Sequence, residues 1–416
     1  MACNLLFFYK KSPGQLHVGL PLLDEIKKES HDLRFFFIFQ NKEAYDNISS
    51  TYKTIINQMG NIIIGQKHTM LCLIKCYLQN NYIFTCLTGH TRMSRIADEF
   101  LPFKQLVFFP HGYGLQGFIS NGYNLSSIRP EKYASRCSPA IAIVNRKEDI
   151  PAHKARKIGD GNFYVSGFPG YKKEWVDYIL DIEKYIHQDF IKDITAKDYK
   201  KVIFVPMRGP HQYYLTQENS DYLVRSIKWM AAQCPQSLFI LKPHPRQSNI
   251  EQVQELCKCK HGNIVIRYES SLFLSSQADF VVSFWSSVII DTIATGTPVI
   301  EFHRHQQMHH NVVQTEQGVQ SIYALSGLCH HFTDREDVLD FLDHDMAWPN
   351  YKDQQRAVFL EMTRLNQETG FAKDVLLRLK QQPFKPICYI GNQLRLVFKL
   401  IKYIAHPQSY KPKTIH

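Results

Sequence analysis

The stretch ADFVVSFWSSVIIDTIATGTPVIEF, residues 278–302, contains a complete strand-helix-strand unit. A first apolar run is followed by Ser286 and Ser287, which are residue types suited to capping a helix. Gly296 and Pro298 are suited to ending that helix before a second apolar run begins. Two buried strands joined by a helix are typical of a parallel sheet, so this stretch predicts an α/β fold.

The same alternation of short apolar runs and helix-period spacers continues on both sides of this stretch. The first series of runs is NLLFFY, LRFFFIFQ, NIIIG, NYIFTCLTG, QLVFFP and AIAIVN, and the second is KVIFVP, SLFILKP, NIVIR, ADFVVSF and TPVIEF. Runs of this length and composition indicate strands that are buried on both faces of a parallel sheet. A charged helical segment, residues 172–200, separates the two series.

This break predicts two Rossmann-like, doubly wound domains, of about six and five strands. We place them at residues 1–190 and 200–345, with helices packing across the two domains at 346–390 and a basic amphipathic tail at 391–416. Ligands of open α/β sheets bind outside the carboxyl ends of the strands. We therefore expect a cleft between the domains, lined by strand ends.

Composition limits the kind of partner and the compartment. The 416 residues are 44% hydrophobic and carry a formal net charge of +11, which favours a negatively charged partner such as nucleic acid, anionic lipid or a phosphorylated substrate. The ten cysteines are scattered, as in a reduced, cytoplasmic protein. The first apolar run is too short for a signal peptide, and no stretch approaches the roughly 20 apolar residues of a membrane span.

A glycine motif at Gly112, Gly114 and Gly117 has the spacing of a dinucleotide fingerprint. That fingerprint belongs on the first strand-helix turn and needs an acidic residue about 20 residues further on. Here the glycines follow the fifth predicted strand, and the next strand ends in Asn145. NAD binding is therefore disfavoured.

His111, directly before these glycines, is the more informative residue. It follows the predicted strand QLVFFP, and Gly112 allows a backbone or a substrate to approach closely. An imidazole with an ordinary pKa of about 6.5 suits general-base work near neutral pH. The alternative is a histidine that only bonds a turn carbonyl.

A second polar cluster follows the strand in LFILKPHPRQ. Lys242, His244 and Arg246 alternate with prolines, which places their side chains on one side of the strand's exit. Three converging donors suit a diphosphate or phosphodiester. The alternative is a solvated basic turn.

The helix that begins after Ser286 and Ser287 supplies a third candidate. A helix N-terminus carries about half a positive charge and exposed N–H groups, so it can bind phosphate, and Asp291 one turn further on is suited to ribose hydroxyls. An ordinary capped helix is the alternative. Arg208 follows another strand and is a further phosphate candidate, while His90 and Arg92 are candidates on the acceptor side.

Metal sites and two common hydrolase motifs are disfavoured. CKCKHG and HRHQQMHH lack the paired spacing of a structural zinc site, and there is no HExxH. Neither a P-loop nor a GxSxG elbow occurs. We predict no metal and no cofactor.

The tail, residues 391–416, has basic and apolar residues at helical spacing and no acidic residue. Such a helix can lie on an anionic membrane surface. It can equally be a terminal helix packed on the body of the protein.

The order of the motifs resembles one family. His-Gly, VSGFPGY, FVPMRG, KPHPR and SFWSSVIIDTIATGTPVIEF, within about residues 105 to 303, are similar to motifs of the bacterial CDP-glycerol glycerophosphotransferase superfamily and related capsule and lipopolysaccharide glycosyltransferases. The His-Pro and serine motifs are also similar to those of bacterial sialyl- and polysialyltransferases, which use CMP-activated sugars. The resemblance implies a GT-B fold, with the acceptor on the N-terminal domain, the nucleotide-activated donor on the C-terminal domain, and no required metal.

Residue by residue, His111 matches the family's proposed base, and His244 matches its histidine near the donor phosphate. Ser286, Ser287 and Asp291 match its nucleotide-binding helix. The sequence departs from the family where His-Gly-Thr is His-Gly-Tyr and where Pro-Thr-x-Arg is Pro-Met-Arg, ending at Arg208. Either change favours a sugar donor over glycerol phosphate. The acidic base motif of polysialyltransferases is not evident.

We therefore expect an inverting, metal-independent transferase. His111 and His244 are the predicted catalytic residues. The donor-binding set adds Arg208, Lys242, Arg246, Ser286, Ser287 and Asp291, and the acceptor-side set is His90, Arg92 and Gly112. The expected partners are a nucleotide-activated donor, a glycan or glycolipid acceptor and an anionic membrane surface, but not nucleic acid. Two alternatives are a UDP-sugar 2-epimerase and a non-catalytic binder of anionic polymers.

Overall fold

The computed structural model divides the chain into two units. It describes residues 3–9, 13–30, 32–78, 82–88, 106–109, 141–155, 162–210, 215–244, 250–258, 262–304, 312–316, 318–344, 348–365, 370–381 and 386–405. Of these, the residues up to 170 and those from 370 onward form the first unit, and residues 171–365 form the second.

The first unit is built on a parallel sheet whose described strands run in the order β3-β2-β1-β4-β5-β6-β7. The strands are β1 Cys3–Tyr9, β2 Leu33–Phe39, β3 Asn61–Ile64, β4 Tyr82–Thr88, β5 Leu106–Phe109, β6 Ile141–Val144 and β7 Phe163–Val165. The helices are Pro13–Lys28, Lys42–Asp46, Ser50–Met59, Gln66–Leu78, Ile150–Ala155, Phe371–Gln381 and Pro386–Ala405, with a short 3-10 helix at Lys147–Asp149. Consecutive buried residues such as Leu5, Leu6 and Phe7 confirm strands covered on both faces.

The second unit is built on another parallel sheet, with described strands in the order β10-β9-β8-β11-β12-β15. These are β8 Lys201–Pro206, β9 Ser237–Lys242, β10 Ile264–Ile266, β11 Phe280–Ser283, β12 Val299–Phe302 and β15 His331–Phe332, and a separate antiparallel pair joins β13 Val312–Thr315 to β14 Gly318–Ser321. The helices are Lys173–Ile186, Gln188–Ala196, Gln217–Gln233, Ile250–Leu256, Ser271–Ser276, Val288–Thr295, Ile322–Leu325, Arg335–Asp343 and Trp348–Thr363, with a 3-10 helix at Pro169–Tyr171 at the boundary between the units.

Both sheets have the doubly wound order 3-2-1-4-5-6 when the strands of each sheet are counted in chain order, and the first sheet adds one more strand. The predicted α/β class with two Rossmann-like sheets is therefore confirmed. The predicted strand numbers of about six and five are each one too low, because β7 and β15 are only three and two residues long. Strands that short carry no readable pattern.

The opening stretch folds as predicted. Its two apolar runs are the parallel strands β11 and β12, joined by helix Val288–Thr295. Gly296 ends that helix with φ +78°, a left-handed conformation in which a glycine has no Cβ penalty.

The units divide the chain at different places from those predicted from sequence. Helix Lys173–Ile186 packs on helices Ser271–Ser276 and Val288–Thr295, so it belongs to the second unit. Helix Phe371–Gln381 packs on helix Pro13–Lys28 and on β7, so the chain returns to the first unit after residue 367. Tertiary packing of amphipathic faces decides these assignments, and periodicity in sequence does not report the packing partner.

Candidate active site

The candidate site lies at the carboxyl edge of the second sheet, where strand order reverses. From β8 the chain moves outward to β9 and β10, and then returns to the other side of β8 as β11 and β12. The point between β8 and β11 is therefore the topological switch point, at which open α/β sheets bind their ligands. Arg208 follows β8 there, and Trp285 follows β11.

Arg208 and Trp285 join the two strand ends directly. The Arg208 Nη1 atom donates a hydrogen bond to the Trp285 carbonyl oxygen at 2.7 Å, and the guanidinium carbon lies 4.8 Å from the centroid of the indole ring. An arginine carries five N–H donors in a planar fork, so a bond to one carbonyl is compatible with binding a phosphate as well. The contact fixes a cation at the switch point.

The backbone at Trp285 adopts an uncommon conformation. Its φ is +45°, which costs a bulky residue about 1 to 3 kcal/mol. Such outliers persist where the surrounding structure over-determines them, and they are concentrated in ligand-binding and active sites. This one turns the chain from β11 into helix Val288–Thr295.

The two serines before this helix have different roles. The Ser286 Oγ atom accepts a hydrogen bond from the N–H of Val288, the first residue of the helix, at 3.3 Å. Ser287 occupies the position just before the helix and is exposed, but its side chain makes no capping hydrogen bond to the described backbone. Ser286 therefore satisfies one free N–H group at the start of the helix, whereas Ser287, at the cap position, makes no side-chain cap and presents its hydroxyl to solvent at the positive end of the helix.

Asp291 lies in the first turn of the same helix and is held by a residue from far along the chain. The Tyr171 hydroxyl donates to the Asp291 Oδ1 atom at 2.9 Å across 120 residues of sequence. Tyr171 is buried, and its ring makes an edge contact with Phe359 at 5.8 Å between centroids. The aspartate is therefore positioned by a packed side chain.

Lys242, the last residue of β9, faces a group of carboxylates. Its ammonium donates to the backbone carbonyl of Glu269, which follows β10. Burial lowers the pKa of Lys242, and the carboxylates of Glu183, Asp291 and Glu269 offset part of that shift. The ammonium has three donors, so this bond does not by itself remove Lys242 as a phosphate ligand.

The carboxylates near this lysine have partners of their own, and together they form what we call the ion-pair cluster. His187 lies 3.3 Å from a Glu183 oxygen and 3.7 Å from a Glu269 oxygen, and Arg267 also pairs with Glu269. Burial alone would raise the pKa of Glu269, but the hydrogen bond from Arg267 helps to hold that pKa below its usual value. Glu183 and Glu269 were not identified from sequence, because their partners come from different elements of the fold.

His244 lies two residues beyond β9 and is half-buried, so it belongs to the same edge as Lys242. Five predicted site residues lie outside the described residues, namely His90, Arg92, His111, Gly112 and Arg246. Their roles stay predictions.

A buried carboxylate on β12 is a further group that sequence analysis missed. Glu301 is fully buried and accepts a hydrogen bond from the Ser321 Oγ atom at 2.6 Å. Burial raises the pKa of nearby Tyr323, and Glu301 adds to that rise. Fully buried glutamates are rare unless they are paired. The glutamate inside the apolar run TPVIEF was therefore the sequence signal for a buried, partnered carboxylate.

A cavity of about 290 Å³ lies at the opposite end of helix Val288–Thr295. Its lining includes Gly296, Lys352 and Arg356. Since Gly296 precedes β12, this cavity adjoins the amino edge of the sheet and does not coincide with the switch point. Within the described part of the chain, no three potential metal-ligating side chains come together, and metal independence stays a prediction.

Comparison with known proteins gives matches in structure only. No protein-family model matches the chain, and no curated protein matches it in sequence. A solved structure of UDP-GlcNAc 2-epimerase from Neisseria meningitidis bound to UDP-GlcNAc matches 92% of this chain and all of its own, with a TM-score of 0.55 and 12% identity. A structure of the wall teichoic acid polymerase TagF matches 91% of this chain and 88% of its own, with a TM-score of 0.55 and 13% identity.

A third match is the S. aureus MnaA–UDP structure, which covers both chains completely at a TM-score of 0.54 and 10% identity. At such identities the likeness shows the fold alone. Together with the two doubly wound sheets, these matches confirm the predicted GT-B-like fold class.

Proposed function

We propose that this chain is an inverting glycosyltransferase, or a glycerophosphotransferase-like enzyme, that uses a CMP- or CDP-linked donor. The acceptor is a bacterial surface polysaccharide or lipopolysaccharide at the cytoplasmic face of the membrane. The observation that carries the proposal is the switch point between β8 and β11, where Arg208 bonds the Trp285 carbonyl just before the N-terminus of helix Val288–Thr295.

The second unit supplies the donor site in this proposal. The N-terminus of helix Val288–Thr295 offers N–H groups and a partial positive charge to the donor phosphates, and Arg208 adds a full charge. Asp291, held by Tyr171, accepts hydrogen bonds from the ribose hydroxyls. Lys242 and His244 at the end of β9 add to this site, and Arg246 is a further proposed phosphate ligand.

Transfer forms a bond from the acceptor oxygen to the donor's anomeric carbon, or to phosphorus for a polyol phosphate. The bond from that atom to the leaving phosphate oxygen breaks, and the nucleotide leaves with the electron pair. Negative charge grows on the leaving phosphate, so preorganised donors at the switch point lower the barrier. No metal is needed if Arg208 and the helix terminus carry this charge.

His111 takes the proton of the acceptor hydroxyl in this scheme, and His90, Arg92 and Gly112 form the acceptor side. A neutral imidazole near its ordinary pKa is matched to this task at neutral pH. His111 is thus the proposed base, and the switch point between β8 and β11 is the proposed leaving-group site.

The test is nucleotide release from CMP-, CDP- and UDP-linked donors, with and without a lipid-linked glycan acceptor and with and without EDTA. We expect release from one cytidine donor to require acceptor and to be insensitive to EDTA. His111→Ala should abolish transfer while donor binding persists. Release from none of the donors, or transfer that EDTA abolishes, would contradict the proposal.

A second candidate is a UDP-sugar 2-epimerase, because the epimerase structures match this chain as well as the polymerase does. That enzyme class changes the sugar without an acceptor. Formation of an epimer from a UDP-sugar in the absence of acceptor, followed by NMR of the sugar, would establish the epimerase in place of the transferase.

A further inference from the structure

The last described helix exposes an apolar face. Helix Pro386–Ala405 packs against helix Gln66–Leu78 in the first unit. The exposed fractions of its large apolar residues are 57% for Leu394, 39% for Val397, 70% for Phe398, 57% for Ile401 and 59% for Ile404. We refer to these five residues as the C-terminal helix face.

The spacing of these residues makes them a single surface. They recur at intervals of three and four, which places them along one side of an α-helix. Single exposed apolar residues are normal, but a contiguous exposed patch marks an interaction surface. The C-terminal helix face therefore requires a partner.

The charge of the surrounding chain identifies the partner's chemistry. Residues 375–416 contain eight basic residues and no aspartate or glutamate. The helix underneath belongs to a second acid-free segment, residues 47–97, and it exposes Lys67 and Lys75. Arg395 and Lys402 are exposed beside the apolar residues themselves. An apolar stripe carried by two basic, acid-free segments is complementary to an anionic lipid surface.

A second copy of the chain fits this surface less well. A twofold contact brings the same patch of both copies together, so the basic, acid-free helix would face its own charges. Among the described residues, no helix combines the length and apolar character that crossing a bilayer requires.

We infer that the C-terminal helix face docks on an anionic phospholipid bilayer, with the helix lying in the plane of the interface. Its apolar side chains insert below the headgroups, and Arg395 and Lys402 contact the lipid phosphates. This inference rests on the proposed function, and it identifies the helix that would hold the enzyme at the membrane. Vesicle binding requires no nucleotide, so its outcome is independent of transferase activity.

The test is co-sedimentation of the full chain with phosphatidylcholine vesicles with and without phosphatidylglycerol, at low and high salt. We expect binding to the anionic vesicles that weakens with salt. Phe398→Gln combined with Ile401→Gln should weaken it at least about tenfold, since two apolar side chains no longer leave water. Tyr185→Gln, which removes an exposed aromatic residue from the second unit, is the matched control and should leave binding unchanged.

A variant without the two basic side chains tests the electrostatic part of vesicle binding independently. Arg395→Gln combined with Lys402→Gln should weaken anionic binding about thirtyfold, at about 1 kcal/mol for each basic residue. Equal binding to neutral and anionic vesicles would overturn the inference, as would unchanged binding of both double variants. Absence of vesicle binding, together with a dimer in analytical ultracentrifugation that Phe398→Gln disrupts, would assign the face to a second copy instead.

Discussion

The carboxyl edge of the second sheet buries charged side chains, whereas the C-terminal helix face exposes apolar ones. At the sheet edge, charged groups such as Glu183 and Glu301 are buried among partners. On the helix, Phe398 and Ile401 are left in water. A buried charge and an exposed apolar patch are the informative exceptions to hydrophobic packing, and they indicate different functions. The first suits a small charged ligand, and the second suits an extended apolar surface.

A large effect on stability is predicted where charges are buried at the sheet edge. Lys242→Met leaves the carboxylates of Glu183 and Glu269 without the ammonium beside them, which should lower the free energy of unfolding by about 3 kcal/mol. Urea unfolding measures the change. Lys184→Met, on an exposed part of helix Lys173–Ile186, should change the stability by less than about 0.5 kcal/mol. Equal effects of the two variants would mean that the lysine at the sheet edge is not part of a coupled cluster.

A smaller effect is expected where Tyr171 holds Asp291. Tyr171→Phe keeps the ring packed on Phe359 but removes the hydroxyl that donates to the carboxylate. Loss of one such bond is worth about 1 kcal/mol, so nucleotide affinity should fall about fivefold. Calorimetric titration with the nucleotide and its 2′,3′-dideoxy analogue makes the test specific. The analogue should bind both proteins alike, and an equal loss for the two ligands would refute a ribose role for Asp291.

Much of the fold was predictable, because strands buried on both faces appear in the sequence as continuous apolar runs. The start of the helix after the two serines and its stop at Gly296 were predictable for the same reason: both are local. The hydrogen bond from Tyr171 to Asp291 was not, since 120 residues separate them. The positive φ of Trp285 also left no signal in its residue type.

The pH dependence of stability tests the same ion-pair cluster, with a smaller expected effect. The pKa of Glu269 in the folded protein is below the usual 4.5, so the unfolded chain binds more protons between the two values. Its stabilising contribution is therefore full above about pH 4.5 and is lost as the pH falls through the folded pKa. Arg267→Gln removes the bond that lowers this pKa, and acid unfolding should begin at higher pH. Circular dichroism across an acid titration measures the onset.

The control for this titration is Arg335→Gln, because Arg335 pairs with the exposed Glu336. That variant should leave the acid unfolding profile where it is. An unchanged profile for Arg267→Gln would show that the pair between Arg267 and Glu269 does not stabilise the folded protein against acid.

The smallest predicted effect is on the stability of the C-terminal helix face. Phe398→Gln should change the free energy of unfolding by less than about 0.5 kcal/mol, because the ring is already in water. Phe204→Ala, at a fully buried position in β8, should cost about 3 to 5 kcal/mol. Thermal unfolding of both variants checks the contrast. A large loss for Phe398→Gln would show that the ring is buried in solution and that the face is already occupied.

The most direct test of the central claim is calorimetric titration of CMP, CDP and UDP into the wild type, Arg208→Ala and Arg335→Ala. Arg335 is the matched control, because its guanidinium also stacks on a tryptophan, Trp229, but on a helix rather than at a strand end. We predict that one cytidine nucleotide binds the wild type saturably and that Arg208→Ala weakens its binding at least about tenfold, as expected for a lost charge-assisted bond. Arg335→Ala should bind as the wild type does. No nucleotide binding, or equal affinity in all three proteins, would contradict a donor site at the switch point.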